Sequence, residues 1–174
     1  MMDGTGTFSR SLQRARGETR TTLRNGALEC LYHSGSAKAL LPRSYGPATE
    51  VVLVNTAGGI TGGDTFGYEC RADASSVTVT TQAAERAYRS SGKEPAHLDV
   101  RLVARNNAHL HWLPQETILF DHSSLARRIE VDLDRSSECL ILESIVFGRH
   151  AMGETLNRCQ FTDRWRIRQD GRLV

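Results

Sequence analysis

Apolar and polar residues alternate with period two through most of this 174-residue chain. Val77-Thr78-Val79-Thr80 alternates strictly. Leu98, Val100 and Leu102 lie opposite Asp99 and Arg101, and Ala108, Leu110 and Trp112 lie opposite His109 and His111. Ile129, Val131 and Leu133 oppose Glu130 and Asp132; Trp165 and Ile167 alternate with Arg164, Arg166 and Arg168. Successive strand side chains point to opposite faces, so each stretch predicts a half-buried strand. Residues 51–54 and 139–142 are apolar on both faces, which predicts buried strands, the second of them central in its sheet. Residues 27–33 and 39–41 are shorter strand candidates, the latter stopped by Pro42. Asn25-Gly26 is a strong turn signal, Asp170-Gly171 is a hairpin turn signal, and Tyr45-Gly46-Pro47 marks another turn. Only residues 82–90 and 143–153 have helical composition. The first continues a strand pattern, so helix and strand both stand; the second would be a short helix capped by Gly153. Many short strands and almost no helix predict a mainly β fold: a sandwich, a barrel or a solenoid.

The stretch Asn55-Thr56-Ala57-Gly58-Gly59-Ile60-Thr61-Gly62-Gly63-Asp64 interrupts this pattern directly after the 51–54 strand. Glycine permits positive φ and close backbone approach, so the pairs Gly58-Gly59 and Gly62-Gly63 imply a chain folded tightly against something. No Lys-Ser or Lys-Thr follows, which excludes a Walker loop, and no helix follows, which excludes the dinucleotide fingerprint. From composition alone the loop is a corner that lets strands stack, closed by the Asp64 carboxylate.

Charge narrows the function. The formal net charge is +2 and the basic residues are scattered, which argues against a nucleic-acid surface. No apolar stretch approaches a membrane span, and residues 1–8 lack the apolar core of a signal peptide, so a cytoplasmic protein is expected. Cys30, Cys70, Cys139 and Cys159 show no CxxC spacing, which leaves reduced thiols as the expectation. Ser90-Ser91 lies in no nucleophile elbow, and His122 beside Asp121 is only a sequence neighbour, so no catalytic set is evident. Residues 1–20 read as a flexible lead-in and 21–174 as one β domain. The second strand of the Asp170-Gly171 hairpin has barely begun at Val174, so a domain incomplete at its C-terminus is expected.

Four segments together carry a resemblance: NTAGGITGGD (55–64), TTQAAERAYRS (80–90), WLPQETILFD (112–121) and ESIVFGRHAMGE (143–154). In this order they resemble the urease accessory protein UreD family, called UreH in some systems; LLPR (40–43) and WRIRQDGRLV (165–174) add to the match. The resemblance implies a β-helix-like fold of stacked short strands with one or two short helices. It implies a non-enzymatic scaffold that binds apo-urease, recruits UreF and through it the GTPase UreG, and helps deliver Ni²⁺ to the urease active site. No tightly bound cofactor is implied, only nickel in transit, along an internal path.

The candidate residues follow from chemistry and from those segments. Asp64, Glu116, Asp121, Glu143 and Glu154 border apolar or Gly-rich runs, where an unpaired charge is costly. They would either line a hydrated nickel path or form ion pairs with Arg86, Arg89 or Arg149, with a turn role open to Asp64. Carboxylate and water suit a metal that must leave again better than thiolate does. His109 and His111, two apart on one strand, share a face and are a metal-binding pair or a solvated one. A second reading, from pattern alone, is a β-solenoid enzyme acting on polysaccharide with Asp/Glu acid-base groups. It needs an exposed groove lined with aromatics, and this chain has few.

Overall fold

A computed structural model describes residues 13–43, 45–149 and 152–174. The period-two stretches form strands: β1 (Arg16–Arg24), β2 (Ala27–Gly35), β3 (Ala37–Leu40), β4 (Thr49–Asn55), β5 (Thr65–Asp73), β6 (Ser76–Thr81), β7 (Glu85–Ala87) and β8 (Ala96–Arg105). They continue as β9 (His109–Trp112), β10 (Thr117–Leu119), β11 (Ser124–Leu133), β12 (Glu138–Ile141), β13 (Ile145–Phe147), β14 (Gln160–Gln169) and β15 (Arg172–Leu173).

Three sheets result, with strand orders β15-β14-β11-β8-β5-β1-β2, β12-β9-β6-β4-β3 and β13-β10-β7. From β5 onward the chain visits the long, the five-stranded and the three-stranded sheet in turn, three times over, before entering β14. Strands of successive turns pair in parallel. This is a three-sided β-solenoid, and its interior is filled by in-register columns. Tyr68, Val100, Ile129 and Trp165 form one column and Cys70, Leu102, Val131 and Ile167 the next, the β14 members being only partly covered, with Trp165 43% exposed. Two hairpins decorate it. Asn25 (φ 50°) with Gly26 (φ 74°) joins β1 to β2, and Asp170 (φ 50°) with Gly171 (φ 77°) joins β14 to β15. Positive φ at both positions matches the twist of an antiparallel ribbon.

Three expectations need correction and one open alternative is decided. Residues 139–142 do not make a central strand: β12 pairs only with β9 among the described residues, and Leu140 and Leu142 are 52% and 57% exposed. An apolar run reads alike whether or not another strand covers its far side. Residues 143–153 contain no α-helix among those described; β13 extends the three-stranded sheet instead, while 150 and 151 lie outside the described residues. The 82–90 segment resolves as strand, because residues 85–87 find parallel partners in β10. Finally, β1 begins at Arg16, inside the segment read as a lead-in, and buries Thr19; residues 1–12 lie outside the described residues.

Candidate functional site

The glycine loop takes the place of a strand on the three-stranded side of the solenoid's first turn. Ile60 bridges Ala87 in parallel: its N–H donates to the Arg86 carbonyl (2.8 Å), and the Tyr88 N–H donates to the Ile60 carbonyl (2.8 Å). Two glycines make this approach feasible. A Cβ on Gly59 (φ 153°) would lie 2.8 Å from the Arg86 carbonyl oxygen, and one on Gly62 would lie 2.5 Å from that of Glu94. Asp64 pins the loop. Its carboxylate is 4% exposed and accepts the Ala15 N–H on one oxygen and the Thr61 N–H on the other, each at 2.8 Å. Both oxygens are thus occupied by backbone, which is the turn role open to this residue.

A polar network crosses the interior further along. Arg127, on β11, is 1% exposed at its side chain. Its guanidinium holds Asp163 with two bonds (3.1 and 2.6 Å), donates to Glu143, reaches the buried Thr117 hydroxyl at 3.4 Å and lies 5.5 Å from the centre of the Phe161 ring. Glu143 is 5% exposed, and its second oxygen accepts the Trp112 indole N–H at 2.7 Å. Burial raises the Glu143 carboxyl above its ordinary range, and the opposing pull of Arg127 and Trp112 does not fully offset it. Toward the glycine loop, Glu85 accepts the Asn55 amide at 3.2 Å, and its carboxyl is also raised by burial. A cavity of about 180 Å³ opens between Glu85, Tyr68, Asn55 and Gly59. Burial, reinforced by the Glu85 charge, raises the Tyr68 phenol.

The sequence-derived candidates fall at different places. Glu116 and Glu143 both sit where the chain passes from the five-stranded to the three-stranded sheet, and the Glu116 carbonyl accepts the Glu85 N–H at 2.9 Å. Asp64 and Asp121 sit at the other corner, leading into the long sheet. Asp121 accepts the N–H groups of Asn157 (2.9 Å) and Arg158 (3.0 Å), which hold its carboxyl below the usual range, and it lies 3.8 Å from Arg89. Glu154 pairs with Arg149 at 2.9 Å, and that guanidinium stacks 4.3 Å from the Phe120 ring centre. His109 and His111 lie on the outward phase of β9, where His109 is 3.3 Å from Glu138. Among the described residues no three His, Cys, Asp or Glu side chains gather as a metal site.

Arg127, Asp163 and Glu85 are the members that sequence reading missed. A signal existed for two of them. Arg127 is two residues before Ile129 on the inward phase of β11, and Asp163 is two before Trp165 on the matching phase of β14. A charge on the apolar phase of a strand needs a buried partner. Chemically, the network offers oxygen ligands already neutralised in part by one cation. It is closed to an extended sugar chain, because the Arg127 and Glu143 side chains are only 1% and 5% exposed.

Comparisons with known proteins bear on this arrangement. A family model described as UreD urease accessory protein matches residues 12–174. The chain is 47% identical over 167 residues to a protein named urease accessory protein UreD from Agrobacterium fabrum (strain C58), which covers 93% of this chain and 58% of that protein. It is 48% identical over 168 residues to the one from Chelativorans sp. (strain BNC1), covering 94% and 60%. It is 44% identical over 169 residues to urease accessory protein UreD 1 of Brucella ovis, covering 94% and 60%. The chain therefore spans about three-fifths of the length of the curated relatives it matches.

Proposed function

Because the chain belongs to the UreD family of urease accessory proteins, we propose that it serves urease maturation as a non-catalytic scaffold that binds apo-urease and helps pass nickel to the active site. The observation that supports nickel handling is the interior carboxylate network around Glu143, set beside the apolar columns that run from Tyr68 to Ile129 and from Cys70 to Val131. Two carboxylates facing one guanidinium leave a net negative charge inside the fold, which attracts a divalent cation as cargo. Arg127 competes for the same oxygens, so the cation is held weakly and released, as transit requires. Glu143 and Glu85 are the interior members of this path. Asp64, Glu116, Asp121 and Glu154 stand at the corners, where their backbone and arginine partners shape the walls. His109 and His111 face outward and do not support the path. On this reading nickel is cargo and no cofactor is held tightly. UreF and, through it, the UreG GTPase are the further partners, and the assembly works in the cytoplasm. No helix among the described residues is long and apolar enough to cross a membrane.

The test is Glu143→Gln and Glu85→Gln in a host whose own copy is deleted. We expect nickel content of the purified urease to fall in both variants while each still captures apo-urease; the melting temperature should hold for Glu85→Gln and drop for Glu143→Gln, which takes one of two carboxylates from the buried Arg127. Wild-type nickel content in both variants would overturn the path.

A further inference from the structure

One side-chain amide ties the glycine loop to the carboxylate of Glu85. Asn55, the last residue of β4, donates its Nδ2 to the Gly59 carbonyl (3.0 Å) and to both Glu85 oxygens (3.2 Å each), while its Oδ1 accepts the Ala57 N–H (2.9 Å). The loop is anchored at both ends by other elements. The Thr56 N–H donates to the Ser36 carbonyl (2.8 Å), and Ile60 sits in the bridge to Ala87. Between those anchors, Ala57, Gly58 and Gly59 rest on Asn55 and on Tyr88. The Tyr88 hydroxyl donates to the Gly58 carbonyl (3.1 Å), and its ring fills the space that a Gly59 side chain would need. That ring is in turn held edge-on against Phe120, with 4.9 Å between centres.

Gly58 and Gly59 also wall the cavity of about 180 Å³ that Glu85 borders, together with residues 82–84. Residues 82–85 are fixed by backbone: the Gln82 N–H donates to the Leu53 carbonyl (2.8 Å) and the Glu85 N–H to the Glu116 carbonyl (2.9 Å). The glycine wall is the one free to move. Gly58 is exposed at φ 77°, and a Cβ built on it would meet nothing within 4 Å. A cation reaching Glu85 changes the loop through Asn55. The amide N–H groups now point at the carboxylate, where they would be repelled by positive charge. Turning the amide over presents Oδ1 to the ion, a ligand that suits it. The same rotation takes Nδ2 from the Gly59 carbonyl and Oδ1 from the Ala57 N–H, so the segment keeps only the Tyr88 hydroxyl and its own backbone bond from Gly58 to Asn55. Few residues that can absorb a large change in φ and ψ are what a hinge requires.

We propose that residues 57–59 are a gate of the Glu85 cavity, that Tyr88 is its latch, and that Asn55 loosens the gate when a divalent cation binds Glu85. This rests on the nickel-path reading and adds to it how the path is opened. Hydrogen exchange of the full chain over residues 56–60, by rapid-quench labelling and mass spectrometry, tests it without metal and with nickel chloride. Equilibrium dialysis in parallel measures the nickel bound. Without metal, Tyr88→Phe should speed exchange of the segment severalfold while the melting temperature holds, because the ring stays in place. Asn55→Asp keeps an acceptor for Ala57 but loses the donor to Gly59 and Glu85, and should also speed exchange. Saturating nickel should speed exchange severalfold in wild type and leave Glu85→Gln unchanged. Wild-type exchange in Tyr88→Phe or in Asn55→Asp overturns the gate. So does loop protection that ignores nickel bound in a Glu85-dependent way, an outcome that leaves the path itself standing. Equal nickel binding by wild type and Glu85→Gln removes the path reading, and the coupling with it.

Discussion

Replacing Arg127 by Met removes the only cation from the interior network while roughly keeping its length and volume. What remains is Glu143, 5% exposed, and Asp163, 20% exposed at its side chain, with no positive partner between them. Removing one member of a buried pair typically costs about 3–5 kcal/mol. The upper part of that range overstates Asp163, which retains access to water. The loss of the Thr117 bond and the Phe161 stacking acts in the other direction. We therefore expect about 3–4 kcal/mol, which corresponds to a fall of roughly 6–16 °C in Tm for a domain of this size. Urea denaturation at pH 7 measures it directly. The pH dependence has a defined sign. The Glu143 carboxyl is raised above its unfolded value, so the folded state binds the extra proton, and stability declines as pH rises from the ordinary carboxylate range through the raised one. Without Arg127 that upward shift grows, so the deficit of Arg127→Met relative to wild type should narrow on acidification from pH 7 toward 5. Glu143→Gln in the same background should restore part of the loss, giving a double-mutant cycle that is strongly non-additive. A deficit under 1 kcal/mol, or strict additivity, would refute the network as described.

Two further outcomes follow from local geometry. Gly59→Ala and Gly62→Ala should each cost about 1 kcal/mol or more, because the new Cβ meets the Arg86 or Glu94 carbonyl; unchanged thermal melts would mean that the loop yields. Burial pushes the Cys70 thiol up to about 12, whereas Cys30 is exposed. A brief iodoacetamide pulse at pH 8 should therefore modify Cys30 and reach Cys70 only after unfolding in urea, and mass spectrometry of the native protein showing modified Cys70 would contradict the burial.

The strands were legible because alternation is a local signal: Leu98, Val100 and Leu102 announce an inward face within five residues. The Asn25-Gly26 and Asp170-Gly171 turns were legible because two adjacent positive φ angles demand such residues. Pattern left the solenoid as one of three β alternatives, since each strand pairs with partners one full turn away, and the family resemblance singled it out. The short β7 and β13 were misjudged or left open for a related reason. Three residues carry too little periodicity to outweigh the helical composition around them. Among site residues, Glu143 was recognised as a costly carboxylate, but its indole partner is 31 positions away and its arginine 16. The pairings Asp121–Arg89 and Glu154–Arg149 lay within the anticipated alternatives, because those arginines sit in the same matching segments.

Stacking also explains why the charges sit where they do. Phe66, Leu98, Arg127 and Asp163 occupy one column on successive turns, so an apolar ladder becomes an ion pair at its last step. Elsewhere the columns pair like with like: Ile129 faces Trp165 and Val131 faces Ile167. A slip of β14 by two residues would keep the inward phase and still give apolar pairs, Val131 with Trp165 and Leu133 with Ile167 in one direction, Ile129 with Ile167 in the other. It would, however, place Asp163 against Leu125 or Ile129 and leave Arg127 facing Phe161 or Trp165. Apolar columns alone distinguish such registers weakly, since a two-residue shift preserves which face is buried. One unpaired buried charge distinguishes them strongly. The Arg127–Asp163 pair thus selects a register that the apolar columns would leave nearly degenerate, and the selected register is the one that brings Glu143 and Trp112 to the same guanidinium.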